Sequence, residues 1–115
     1  MSDLTVYEKP TCTTCRNLVT LLEERGIPFE RVNYHVDPLP EDKIRELVEK
    51  TGRPAAELLR KGETAYAEHV EGRDLSDDEL IALMAEHPPL LERPVVERGS
   101  RAVLARPVER VLELL

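Results

Sequence analysis

An α/β fold, with a βαβ half, a ββα half and helices inserted between them, is what this sequence predicts, and three observations carry the prediction. Two β-prone runs bracket one helical stripe within residues 4–34, the pattern of a right-handed unit with parallel strands. Interrupted helical patterns fill about residues 40–89. Near the C-terminus, two apolar runs flank Gly99-Ser100, and Pro107 opens a last amphipathic segment.

Each element has its own local reason. Leu4-Thr5-Val6-Tyr7 is β-prone and stops at Glu8-Lys9-Pro10, because proline removes a ladder donor and holds the preceding residue extended. From Thr13 to Glu24, Cys15, Leu18, Val19 and Leu22 recur at helical spacing, and Gly26 with Pro28 ends the run. Phe29 to Tyr34 alternates imperfectly and closes at Asp37-Pro38, which reads as a second strand. Ile44, Leu47 and Val48 mark a helix entered through Pro40 and closed near Thr51-Gly52. Pro54 opens a short helix holding Leu58 and Leu59, and Lys61-Gly62 separates it from another short segment. Ser76 and Glu79 have capping-box spacing before Leu80, Ile81, Leu83 and Met84, with a stop at Pro88-Pro89. Val95-Val96 and Ala102-Val103-Leu104 form a hairpin around Gly99-Ser100, and a final helix after Pro107 presents Val108, Val111, Leu112 and Leu115. Strands from both halves join in one mixed sheet covered by helices, a thioredoxin-like architecture.

Composition narrows the function. With 115 residues and 41% hydrophobic content, one compact domain spanning 1–115 is expected to carry both fold and chemistry. A net charge of -7 argues against broad adhesion to nucleic acid, and one Phe, three Tyr and no Trp offer few stacking platforms. The acidic residues are spread out, as on solvated helix faces. No apolar run approaches the roughly 20 residues that span a bilayer, and MSDLTVYEKP lacks a signal-peptide layout. A cytoplasmic location is the expectation. Without heptads or a conspicuous apolar patch, so is a monomer.

Chemistry concentrates in Pro10-Thr11-Cys12-Thr13-Thr14-Cys15-Arg16. In a reducing compartment a close cysteine pair reads as redox-active or metal-binding rather than as a staple. Cys12 falls at a helix N-terminus, where unpaired N–H groups and the macrodipole stabilise thiolate over thiol. It is the nucleophile candidate. Cys15, one turn on and more buried, can attack an adduct on Cys12 and release it as a disulfide, which makes it the resolving candidate. No further cysteine is present, and His35, His69 and His87 lie at no finger-like spacing, so no metal site is expected. Inert packing would explain Cys15 on its apolar stripe, but not Cys12 in a loop.

The ordered motifs YEKPTCTTCRN, ELLRKGETAY, EHPPLLERPVV and LARPVERVLELL resemble the ArsC arsenate reductases and their relatives along residues 4–115. The resemblance implies a thioredoxin-like fold with a helical insertion, and reduction of arsenate to arsenite with glutathione and glutaredoxin as electron donors. It puts the family's nucleophile on Cys12, its anion-binding arginines on Arg60, Arg93 and Arg106, and its cis-proline on Pro94. Arginine is suited to such a role, because an oxyanion must be neutralised and held before a thiolate can approach, and the planar guanidinium fork does both. Any one arginine could equally be a surface ion-pair partner. Arg93 and Arg106, each directly before a proline, should be rigid positions near the end of the sheet.

Two positions depart from the family pattern. ArsC proteins commonly have a histidine where this chain has Glu8, and a carboxylate there is expected to raise the Cys12 pKa. They typically lack a second cysteine three residues after the nucleophile. The related Spx-type regulators use CxxC as a redox switch and bind RNA polymerase, so a redox-sensing regulator stays open beside the reductase. A general thiol–disulfide oxidoreductase, with thioredoxin or glutaredoxin as partner, is the third reading.

Overall fold

In a computed structural model of the protein, residues 3–115 are described. Strands β1 (Leu4–Glu8), β2 (Glu30–Asn33), β3 (Val95–Arg98) and β4 (Arg101–Leu104) form one four-stranded mixed sheet in the order β2-β1-β3-β4. β1 pairs parallel with β2 and antiparallel with β3, and β3 pairs antiparallel with β4. The fold is therefore α/β and thioredoxin-like, as the two halves predict. Helix α1 (Thr13–Glu24) links β1 to β2; α2 (Glu41–Thr51), α3 (Thr64–His69) and α4 (Asp77–Glu86) lie between β2 and β3.

The pleat sorts β1 into two faces. Leu4, Val6 and Glu8 point one way and Thr5 and Tyr7 the other. On the first face, Leu4, Val6, Val96 and Val103 pack with Leu18 and Leu22 of α1 and with Val111 and Leu114. On the second, Tyr7, Val95 and Ala102 pack against Ile44, Leu47, Leu80, Ile81 and Met84 of α2 and α4. All of these side chains are buried, and at about 25 cal/mol per Å² of apolar area this burial is the main favourable contribution to folding.

Local signals behave as their chemistry requires. Ser76 Oγ accepts from the Glu79 N–H at 3.2 Å while Glu79 Oε1 accepts from the Ser76 N–H at 3.2 Å, a complete capping box. Gly52 ends α2 at φ 68°, and Gly99, at φ 58°, begins the two-residue loop closed by the Arg98–Arg101 pair; both need the left-handed region that glycine enters freely.

The C-terminal segment corrects the sequence reading. Val108–Leu114 is a 3₁₀ helix rather than an α-helix, and it buries Val111 and Leu114 while leaving Leu112 and Leu115 exposed. At three residues per turn, Val108, Val111 and Leu114 share a face, so the 3.6-residue stripe picked Leu112 and Leu115 wrongly. The segment after Pro54 is likewise a 3₁₀ turn, Ala55–Leu58. Leu59 lies outside it and bridges antiparallel to Leu91. β2 is shorter than Phe29–Tyr34 because it is an exposed edge strand with a weak alternation.

Candidate active site

Three segments end at the same edge of the sheet. The register Tyr7↔Val95↔Leu104 brings together the exit of β1, the entry to β3 and the exit of β4. Cys12 follows the first, Arg93 precedes the second and Arg106 follows the third. Both Arg93–Pro94 and Arg106–Pro107 are cis; the second was not anticipated. Arg60 joins them because its N–H donates to the Leu90 carbonyl at 2.8 Å, tying its loop to the chain just before Arg93. Cys12, Arg60, Arg93 and Arg106 line one cavity of about 320 Å³, with Lys9, Thr11, Thr13 and Thr14.

Cys12 is the N-cap of α1. Its N–H donates to the Lys9 carbonyl at 2.9 Å, and its sulfur accepts from the Cys15 N–H at 3.4 Å. Burial opposes the thiolate, but the hydrogen bonds from Cys15 and the Arg93 guanidinium outweigh it and bring Cys12 below the ordinary thiol value. Cys12 is therefore lowered in spite of the Glu8 carboxylate nearby in sequence. Glu8 points to the α1 face, where Arg31 Nε reaches its Oε1 at 2.7 Å, and its charge acts on Cys15. Fully buried, Cys15 is pushed up to about 12, mainly by desolvation, opposed by the Lys9 backbone N–H and reinforced by the negative charges of Cys12 and Glu8.

The three arginines differ. Arg93 is buried, and its Nε and Nη1 make no hydrogen bond with any described residue. Arg106 Nη1 donates to the Arg93 carbonyl at 2.9 Å. Arg60 is paired with Glu92 at 2.6 Å and with Glu63 at 3.1 Å. Those carboxylates also stand 3.8 Å from Arg106 and Arg93 respectively. Sequence reasoning missed Glu63 and Glu92, although the Arg60-to-Glu63 spacing and the Glu92-Arg93 adjacency were visible signals. It also missed Lys9 on the cavity wall. His35 is half-buried beside this charge, its buried Nε2 without a hydrogen bond to any described residue, and burial and the Arg93 and Lys9 charges keep it below its ordinary pKa.

Such a site can do two things: hold a small, multiply charged anion in a fork of guanidinium groups, and present a thiolate to it. Among the described residues, no group of three or more His, Cys, Asp or Glu side chains could hold a metal ion. No described helix is long and apolar enough to cross a membrane.

The sequence profile of the ArsC family matches residues 7–114. The chain belongs to the ArsC family. Arsenate reductase of Neisseria meningitidis serogroup A is 32% identical over the full length of both chains. Arsenate reductase of Escherichia coli K12 is 35% identical, covering 100% of this chain and 82% of its own. Among solved structures, arsenate reductase from Vibrio cholerae superposes with a TM-score of 0.92 at 36% identity, covering 97% of each chain. As a member of the ArsC family the protein is an arsenate reductase-like oxidoreductase.

Proposed function

We propose that this protein reduces arsenate to arsenite through a covalent adduct on Cys12. The observation that carries the reading is one cavity that holds a lowered-pKa thiol at a helix head and a buried arginine with unsatisfied donors. Arg60, Arg93 and Arg106 hold the oxyanion, and the free N–H groups at the start of α1 cradle it. The Cys12 thiolate attacks arsenic, the As–S bond forms, and one oxygen leaves as water with protons from solvent. Cys15 then attacks the Cys12 sulfur. The S–S bond forms, the As–S bond breaks, and its electron pair leaves on arsenic, which becomes arsenite. An external dithiol or glutathione system, through glutaredoxin or thioredoxin, returns the Cys12–Cys15 disulfide to two thiols. No bound cofactor takes part. The protein acts as a single domain and a monomer in the cytoplasm.

The occupation of Arg60 by Glu63 and Glu92 favours a second reading, a thiol–disulfide oxidoreductase that needs no oxyanion fork. One assay separates the two: arsenate-dependent NADPH oxidation coupled through glutathione and glutaredoxin or through thioredoxin. The reductase reading expects turnover with one donor and its loss in Cys12→Ser by about a thousandfold or more. Native protein without arsenate-dependent turnover, but with disulfide exchange that survives Arg93→Ala, would establish the oxidoreductase instead.

A further inference from the structure

Cys15 poses a problem for its own role. A thiol must lose its proton to attack, and Cys15 is fully buried with its pKa pushed up to about 12. Almost none of it is thiolate at neutral pH. Resolution at a useful rate therefore needs a group that takes the proton as the sulfur attacks.

Geometry supplies one. Helix α1 returns antiparallel across β1, as a βαβ link must. Its buried stripe of Cys15, Leu18 and Leu22 covers the β1 face that carries Leu4, Val6 and Glu8. Cys15, in the first turn of α1, thus meets the last residue of β1, Glu8. Lys9, the next residue, reaches the Cys15 sulfur with its backbone N–H. The Glu8 side chain is 2% exposed. Arg31, across the parallel β1–β2 pair, fixes Oε1 with Nε at 2.7 Å and Nη2 at 2.6 Å. Oε2 is buried and accepts no hydrogen bond from any described residue. A carboxylate oxygen left bare in a core is costly, and with Oε1 tied to Arg31, Oε2 is the acceptor left open.

We propose that Glu8 Oε2 takes the Cys15 proton, directly or through one water, as Cys15 attacks the Cys12 sulfur. The S–S bond forms, the bond from Cys12 to its adduct breaks, and the electron pair leaves with the departing group. When external thiols later reduce the Cys12–Cys15 disulfide, Glu8 returns the proton to the departing Cys15 thiolate. Glu8 and Cys15 then act as a pair, and the role rests on Cys15 being the resolving thiol. The other charged or titratable groups around the pair are Arg31 from β2, Cys12 at the head of α1, Lys9 in the loop, and Tyr34 just past β2.

The test separates the two steps in time. One equivalent of a chromogenic aromatic disulfide releases a first coloured thiolate when Cys12 attacks it and a second when Cys15 resolves the mixed disulfide. In Glu8→Gln the second phase should slow about a hundredfold at neutral pH, with the gap to native closing as alkali takes over deprotonation. Glu8→Asp, which keeps the charge but draws the oxygen back, should lie between. Should Glu8→Gln fail to fold, Glu8→Asp still reads the effect. Arg31→Met removes the ion pair but keeps the carboxylate; if it slows the second phase as much as Glu8→Gln, the role is structural and the proposal falls. A second phase within about threefold of native in both Glu8 variants overturns it too. Cys15→Ser reports separately: a second release surviving that change defeats the resolving role itself.

Discussion

Two charged clusters lie four residues apart, one on β3 and one at its entry, and they are finished differently. At Glu97, on β3, every carboxylate lone pair has an occupant: Oε1 accepts from Tyr7 at 2.7 Å and Lys43 at 3.0 Å, and Oε2 from Lys43 at 3.0 Å and Lys50 at 2.5 Å. At Arg93, just before β3, Nε and Nη1 are buried with no hydrogen bond to any described residue. The first cluster is closed on itself. The second keeps its donors for something else. Buried polar groups are normally satisfied, because an unpaired one costs about 1–3 kcal/mol, so a bare one marks a place where stability was not the criterion. Function and stability should therefore separate between the two clusters, and substitutions in each can break that separation or sharpen it.

Between the two clusters, the largest effect belongs to Arg93→Ala. Removing a preorganised donor from a developing oxyanion typically costs roughly 10²–10³-fold in rate, and kcat/KM for arsenate should fall by that much. Unfolding in urea should be unchanged or slightly harder, since two unsatisfied donors disappear. Phosphate, an arsenate isostere, should raise the melting temperature of native protein and not of the variant. A lower melting temperature in the ligand-free variant would mean that Arg93 belongs to the structural class after all. The same variant should move the pH profile of Cys12 alkylation toward that of an ordinary thiol, because the guanidinium is one of the groups holding Cys12 down.

Glu97→Gln should do the reverse. It leaves Lys43 and Lys50 facing a neutral amide, and breaking a buried pair costs about 3–5 kcal/mol, the lower end applying here because both lysines are partly exposed, while kcat/KM should stay within about twofold. The pH dependence follows from the sign of the shift. Burial opposes the carboxylate, but Lys50, Tyr7 and Lys43 outweigh it, and Glu97 titrates below the ordinary glutamate value. A depressed carboxyl supplies stability that is complete above its unfolded pKa, about 4.3, and is lost as pH falls through the lower folded one. Urea midpoints should therefore drop more steeply between about pH 5 and pH 2 in native protein than in Glu97→Gln. Equal slopes would remove Glu97 from the account of acid unfolding.

The same comparison explains what could be read from the sequence. Cys12 and Cys15 stood out because a CxxC between a strand and a helix is a local pattern, whereas Arg60, Arg93 and Arg106 were singled out by the family resemblance, with Pro94 and Pro107 adding only the expectation of rigid positions for the last two. The parallel β1–β2 unit and the β3–β4 hairpin were legible because hydrophobic alternation and the Gly99-Ser100 turn are local too, whereas the order β2-β1-β3-β4, which sets β1 beside β3, was not. Side-chain pairing across the fold was not. Glu97 meets Lys43 and Lys50 over about fifty residues of chain, and nothing in the spacing of a surface-looking VVER strand announces it. Glu8 was read only against Cys12; the pleat, which sends it to the α1 face with Val6, also brings its charge to bear on Cys15. The last segment failed for a subtler reason, since a run of seven residues fits both 3.6 and 3.0 residues per turn and only packing chooses.

The smallest predicted effect lies inside the arginine cluster, at Glu92. Its Oε1 is 2.6 Å from Arg60 and 3.8 Å from Arg106, and it also accepts from the Arg93 N–H at 3.2 Å. An incoming oxyanion must compete with that carboxylate for Arg60. Glu92→Gln keeps an acceptor for the Arg93 N–H and removes the competing charge. Because the pair is partly exposed, its worth is about 0.2–1 kcal/mol, so phosphate should bind roughly 1.4- to fivefold more tightly, with the gain shrinking as salt screens it. A weaker affinity instead would mean that Glu92 aims Arg60 and Arg106 more than it occupies them. The arginine cluster would then share the logic of the Glu97 cluster, a carboxylate fixing cations in place, and only Arg93 would remain as the donor left open for the substrate.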